Sequence, residues 1–438
     1  MLVLVSYVLA VDSLVWGVFV GFITLTFLSP LISTTSGIGL CAFSASLNYD
    51  LKGAVLVVLT FINLWSCLLA QTTIKITRQQ GLQTLLLALA FTTIMFFVEG
   101  SWLKFYIYFE ASLIPIFLII MGWGYQIERV KASKAIVLYT VVASLPLLLV
   151  LLAVSSGGGD ISFQVVRSVL LEKRMGFISL FLTLAFLVKL PLLYCHMWLP
   201  KAHVEAPVVG SMFLAAVLLK LGGFGLIKVS SVLDSRLSFS TFILSIARWS
   251  IILIRGLCVQ ATDIKVLIAF SSVSHMAVIV IALTSSSWIG ASCALLVLLS
   301  HGIRSSAAFF FRFIFYKAAG TRNILLNKGS SQALGIIALL WVLCCLGVIG
   351  APPTFNLWVE VNSFISVISR RFFMRKPLFW GALLTGVYRI LLVRVPISFN
   401  TQFKYTSKNK ASQIDLVHLI HSSMLLVLLA FFAPIILI

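Results

Sequence analysis

The chain has 438 residues, of which 61% are hydrophobic and 10% charged, with a mean hydropathy of +1.12. Soluble domains carry about 45–50% apolar and about 25% charged residues, so this composition excludes a water-soluble protein and implies a polytopic membrane chain. The net charge of +20 does not point to nucleic acid, because Lys and Arg lie in short loops and at the ends of apolar runs.

In chain order, apolar runs long enough to cross a hydrocarbon core are predicted near residues 3–29, 52–74, 82–99, 101–121, 135–154, 176–199, 207–229, 240–259, 264–284, 289–316, 333–372, 378–394 and 414–437. About thirteen such spans make an all-α transmembrane bundle, since only helices or closed barrels satisfy their backbone in lipid. The first run, MLVLVSYVLAVDSLVWGVFVG, has no basic leading region and no small-residue cleavage site, and reads as a span rather than a signal peptide. The loop-like connections are 155–175 and 395–413. Basic residues gather in alternate loops (Lys75 and Arg78; Arg129, Lys131 and Lys134; Lys317, Arg322 and Lys328; Lys404, Lys408 and Lys410), which places those loops on the negative side of the membrane.

Two spans carry prolines that should interrupt them. In 176–199, Pro191 follows Lys189 by two residues; in 333–372, Pro352 and Pro353 precede Glu360. A proline removes an intrahelical hydrogen bond, which membranes tolerate only where protein or water satisfies the freed carbonyl. Each broken span is the fourth in a set of five, 82–229 and 240–394, flanked by N-terminal spans in 1–81 and a C-terminal span in 395–438. Broken helices in corresponding halves point to an ion path built on two inverted five-helix repeats.

Six ionisable residues lie one to a span, away from the ends: Glu110, Lys189, Lys220, His275, His301 and Glu360. Any one alone reads as a packing pair or a satisfied core residue. Together they are costly in lipid and short of acids, the pattern of a proton relay. His203 and Glu205 in PKAHVEAP suit a loop cap or proton uptake, and His196 lies just upstream of them. Asp263 and Lys265 sit at a helix start, where Asp is a favoured cap. The seven cysteines form no C-x-x-C or metal-ligand spacing, so the chain should carry no cofactor and no redox chemistry of its own.

The stretches FYIYFEASLIPIFLI, HMWLPKAHVEAPVVGSMFLAAVLLKLGGFGLIKV, TDIKVLIAFSSVSHMA and PPTFNLWVE closely resemble the antiporter-like membrane subunits of mitochondrial NADH:ubiquinone oxidoreductase, respiratory complex I, over roughly residues 82–372. The resemblance implies that Glu110 and Lys189 form a coupled pair, Lys220 is the central lysine, His275 and His301 bridge, and Glu360 is the acid of the second half-channel. It also implies a multi-pass chain of the mitochondrial inner membrane with its N-terminus on the matrix side and one N-terminal helix fewer than usual. Its partners would be other membrane-arm subunits, neighbouring antiporter-like subunits among them, and lipids such as cardiolipin. FMN, iron–sulfur clusters and ubiquinone would belong to other subunits. The chain departs from the family at Arg304 and Arg312, where neutral residues are usual, and at YKAAGTRN. Competing readings are a cation/proton antiporter subunit and a scaffold whose charges only pair.

Overall fold

The computed structural model describes residues 51–73, 79–155, 176–233, 240–284, 288–324, 336–351, 354–370 and 375–397, with Ile420 and Ser423. The spans expected at 3–29 and, apart from Ile420 and Ser423, at 414–437 lie outside the described residues, as do Pro352 and Pro353. Helices are numbered here in chain order: α1 (Leu51–Thr73), α2 (Gln79–Val98), α3 (Trp102–Ala111), α4 (Leu113–Trp123) and α5 (Arg129–Ser155). Next come α6 (Gly176–Lys189), α7 (Trp198–Glu205), α8 (Val208–Phe213), a π-helical turn (Leu214–Leu218) and α9 (Leu219–Leu233). The remainder are α10 (Ser240–Gln260), α11 (Ile264–Thr284), α12 (Trp288–Ala319), α13 (Ile336–Ile349), α14 (Phe355–Arg370) and α15 (Arg375–Ile397).

Among the described residues nine helical stretches are long and apolar enough to cross a membrane, and they coincide with nine of the expected spans. The two spans expected to be broken are each built from two shorter helices. Polar donors inside the helices are met by the backbone one turn back: Asn63 donates to the Leu59 carbonyl at 2.8 Å and Ser66 to that of Asn63 at 2.8 Å. Such back-bonding lets a hydroxyl or amide sit in an apolar helix without an unpaired donor.

The first break follows the sequence. α6 ends at Lys189, residues 190–197 are irregular, with Tyr194 at φ 75°, and the chain resumes as the short α7. In the second break α13 ends at Ile349, and Gly350 takes φ 71°, a left-handed geometry that glycine adopts without strain. The Ala351 N–H then bonds back to the Leu346 carbonyl at 3.1 Å. Proline does not by itself mark a break, however. Pro146 lies within the continuous α5, whereas the span holding Glu110 divides at Ser112, three residues before Pro115.

Two elements run through the middle of the bundle with their central stretches buried: α8 to α9, and α12, which packs against α1, α8, α9, α11, α13 and α14. α9 approaches α6 closely because Gly222 faces its end; a Cβ there would lie 2.9 Å from the Leu190 nitrogen and 3.0 Å from the Phe186 carbonyl oxygen. Gly222→Val should therefore push α9 off the end of α6. The expected cost is about 1–3 kcal/mol, read as a lower midpoint for loss of assembled protein on native gels after heating; an unchanged midpoint would show that the contact can open freely.

Candidate functional site: a line of buried charges

Lys189 stands at the C-terminal end of α6, where a cation complements the helix dipole. Its ammonium donates to the Phe109 carbonyl at 2.9 Å and contacts Ser112 Oγ at 3.4 Å, and it lies 3.5 Å from the Phe109 ring centroid. The turn at Ser112 between α3 and α4 presents that carbonyl and hydroxyl. An aromatic wall surrounds the site: Phe96 stacks on Phe105 at 4.0 Å, and Phe109 meets Phe186 edge-on at 5.3 Å. Glu110, the expected partner, has a buried Oε1 without a hydrogen bond, and its charge acts on Lys189 from a distance instead of forming a direct bridge. The pair is open in this structure because the backbone and an aromatic face solvate the ammonium.

Lys220 is fully buried at the start of α9, just past the π-helical turn. A π-helical turn loosens the regular i to i−4 ladder, and here the Lys220 ammonium folds back to donate to the Ala215 carbonyl. Its other partner is His301 Nδ1 at 2.8 Å on α12. Of those two nitrogens only one holds the shared proton at a time: a charged lysine needs an unprotonated Nδ1, and a protonated Nδ1 needs a neutral amine. Among the described residues the Lys220 ammonium has no hydrogen bond or ion pair to a carboxylate.

From His301 the line continues to His275 on α11, ring centroid to ring centroid 6.0 Å. His275 Nε2 lies 3.4 Å from Arg389 Nη2 on α15, and the same Nη2 donates to Glu360 Oε1 at 2.7 Å on α14. Asn356 Nδ2 also donates to Glu360 Oε1, at 2.9 Å. The structure thus brings Lys220, His301, His275 and Glu360 into one chain of contacts, and Lys189 with Glu110 into a neighbouring cluster. Among the described residues no hydrogen bond joins Lys189 to Lys220, although α6 and α9 touch beside them.

The other candidates gather around α7. His203 is fully buried and stacks on Phe309 at 4.7 Å, with neither ring nitrogen hydrogen-bonded. It is near enough to Lys220, Lys265 and His301 for their charges to act on one another. Lys265 donates to the Val204 and Ala206 carbonyls, each at 2.9 Å, and so caps the C-terminal end of α7. Asp263 forms an isolated antiparallel bridge with Asn323. Glu205 is buried with Oε2 unbonded, and His196 lies in the irregular segment after Pro191 with its ring 6.1 Å from Phe270. Lys265→Met should cost about 1–3 kcal/mol by taking the lysine donor from one buried and one part-buried carbonyl. A drop in thermal midpoint measures it, and a midpoint at the parent value would show that water replaces the cap.

Arg389 and Arg255 are functional candidates that the sequence pattern does not single out. Arg255, on α10, is buried with Nε and Nη1 unbonded, and lines a cavity with His275, Asn356 and Glu360. Arg304 is buried one turn beyond His301 and lines a second cavity with His301, Ser271 and Trp341. Among the described residues no group of three or more His, Cys, Asp or Glu could hold a metal ion.

The fold and this internal line of ionisable groups define a polytopic helical membrane protein with charges buried along its interior. The family described as NADH:quinone oxidoreductase/Mrp antiporter, TM, matches residues 100–385. The chain is 34% identical to NADH-ubiquinone oxidoreductase chain 4 of Polypterus ornatipinnis over 87% of each protein. It is 39% identical to the chain 4 protein of Locusta migratoria over 66% of this chain and 65% of that one, and 40% identical to that of Aedes aegypti over 60% and 59%. The matches thus span somewhat under two thirds of the two insect proteins. Among solved structures, a chain of respiratory complex I from Thermus thermophilus superposes with a TM-score of 0.81 at 22% identity, covering 89% of this chain and 83% of that one. A chain of the archaeal membrane-bound sulfane sulfur reductase superposes at 0.80 with 15% identity, over 89% and 81%. The chain belongs to the NADH:quinone oxidoreductase/Mrp antiporter transmembrane family.

Proposed function

We propose that this chain is a proton-translocating membrane-arm subunit of respiratory complex I, the counterpart of the chain 4 proteins it is similar to. Its two five-helix sets act as inverted repeats, each contributing a broken fourth helix to a path near mid-membrane. The observation that carries the reading is the buried Lys220–His301 contact at 2.8 Å, with no carboxylate bonded to the lysine among the described residues. A structural charge in lipid needs a counter-charge, whereas a relay lysine needs a neighbour that can take or return its proton.

In this reading Lys189 is the movable charge of the first set. With Glu110 ionised and close, the ammonium would leave the Phe109 carbonyl and pair with it; with the pair open, as here, its field acts toward Lys220. A proton moves from Lys220 to His301, on to His275, and leaves through Glu360. His203, Glu205 and Lys265, around the end of α7, stand where protons are taken up. Quinone reduction, with FMN, iron–sulfur clusters and ubiquinone, belongs to other subunits of the complex. The chain sits in the mitochondrial inner membrane beside neighbouring antiporter-like subunits, with cardiolipin among its lipids and its N-terminus on the matrix side.

The test is made on inner-membrane vesicles carrying Glu110→Gln or Lys189→Ala, with assembly checked on native gels. NADH-dependent quinone reduction and the proton gradient are followed together. Proton yield is expected to fall further than electron transfer, or both to collapse in assembled complex. Normal values for both in both variants would reduce the pair to helix packing and sink the coupled relay in the first set.

A further inference from the structure

Arg389 occupies an unusual place. It lies on α15, the fifth member of the second set, just as Lys220 lies on the fifth member of the first; Glu360 is on the broken fourth element, as Lys189 is. Where the first set holds an ammonium that can give up a proton, the second holds a guanidinium that cannot. Arg389 is therefore no carrier, yet it stands between the last histidine and the acid.

A single guanidinium nitrogen serves both neighbours. Nη2 donates to Glu360 Oε1 at 2.7 Å and faces His275 Nε2 at 3.4 Å. An unprotonated Nε2 accepts from that nitrogen; a protonated Nε2 turns a donor toward a donor and adds a second positive charge against the first. A proton on Nε2 and the present position of Arg389 exclude each other. The guanidinium also occupies Oε1, one of the two oxygens a departing proton could take.

The surroundings favour its return. Among the described residues the charged and titratable groups around the contact are Arg255 and Cys258 on α10, His275 on α11, His301 and Arg304 on α12, Cys344 on α13, Glu360 on α14 and Tyr388 on α15. Glu360 is the one carboxylate among them. Arg255 and Arg304 repel a displaced guanidinium back toward it, while the Tyr388 ring, its centroid 6.0 Å from Cζ, offers a face on which the cation can rest briefly.

We propose that Arg389 is a positioning residue that gates the step between His275 and Glu360. At rest it holds Glu360 and blocks the path. A proton reaching His275 Nε2 expels the guanidinium from the gap, the proton leaves Nε2 for a Glu360 carboxylate oxygen, and Arg389 closes again once Glu360 has released it. Arg389 keeps all its own protons throughout. The gate keeps the path closed except while a proton stands on His275, and it rests on the relay reading above.

The experiment uses vesicles containing the whole complex with Arg389→Gln or Arg389→Lys. Two quantities are read: protons moved per NADH oxidised, and passive proton conductance under a potassium diffusion potential without NADH. Arg389→Gln is expected to lower the first and raise the second several-fold, with Arg389→Lys restoring most of both. Parent values for both quantities in assembled Arg389→Gln would overturn the gate. Should Arg389→Gln not assemble, the unmodified complex is imaged at rest and during turnover. Separation of the guanidinium from Glu360 in a turnover subset is expected; contact in every state overturns the proposal. A normal Arg389→Gln beside a pumping-defective Lys220 variant removes the gate alone, whereas normal pumping by the Lys220 variant removes the relay beneath it.

Discussion

Lys220→Met is expected to give an assembled complex that moves about 10²-fold fewer protons, or none through this chain, because a proton-transfer group typically contributes about 10²- to 10⁴-fold. The substitution keeps an unbranched side chain of similar length while removing a desolvated charge. Replacing a buried charge by a well-packed apolar group is often neutral or stabilising, so loss of assembly is not the expected outcome. The Ala215 carbonyl and His301 Nδ1 lose a donor, and water in the neighbouring polar line can satisfy them. Lys220→Arg sharpens the test. It preserves the positive charge and can donate to both acceptors, but it cannot lose a proton. A scaffold that needs only a cation tolerates Arg; a relay does not. Proton translocation by Lys220→Arg at the parent rate, in vesicles with verified assembly, would remove Lys220 from the pathway.

The fold was legible where lipid imposes length. Nine expected spans match nine helical stretches because a hydrocarbon core demands about twenty apolar residues and leaves little freedom in where they fall. The first break was legible too, since α6 ends at Lys189 just ahead of Pro191. Proline proved a partial guide elsewhere. Pro146 stays within α5, while the break at Ser112 ahead of Pro115 went unread. Whether a proline breaks a helix depends on what satisfies the freed carbonyl, and neighbouring helices decide that. The π-helical turn before Lys220 left no mark in the sequence at all, since LAAVL suits a regular helix equally well.

The candidate site was legible as a set of costs. Glu110, Lys189, Lys220, His275, His301 and Glu360 each stood out because a titratable group inside an apolar run is expensive. Their contacts were not legible, being set by approach between segments far apart in the chain. The resemblance implied that Lys189 and Glu110 form a coupled pair, but the ammonium is solvated by the Phe109 carbonyl and ring, an option open to any lysine beside a helix turn. Arg389 was not singled out, standing five residues before Arg394 towards the end of the span. The signal that could have found it is its depth: it lies thirteen residues past Lys376, the charge at the other end of that span, and Glu360 in the preceding helix had no other assigned cation.

Glu360→Gln is the substitution with the largest expected effect on stability. The Arg389–Glu360 pair is 2.7 Å long, with side-chain exposures of 4% and 26%, so the arginine is the buried partner and the acid is partly wetted. Removing the acid takes from the buried guanidinium the carboxylate it bridges, in a part of the bundle it shares with Arg255 and Arg304. Breaking a buried pair by removing one partner costs about 3–5 kcal/mol, and the partial exposure of Glu360 argues for the lower end, about 3 kcal/mol. The companion variant decides the cause. Glu360→Gln with Arg389→Met removes both charges and should recover most of the loss, because the cost lies in the stranded cation rather than in the missing attraction. Thermal midpoints of the assembled complex on native gels read both effects. A single variant as stable as the parent, or a double variant no better than the single, would show that Arg389 is compensated by something other than Glu360. In that event the acid holds its position through Asn356, and the exit step has no ion pair to open.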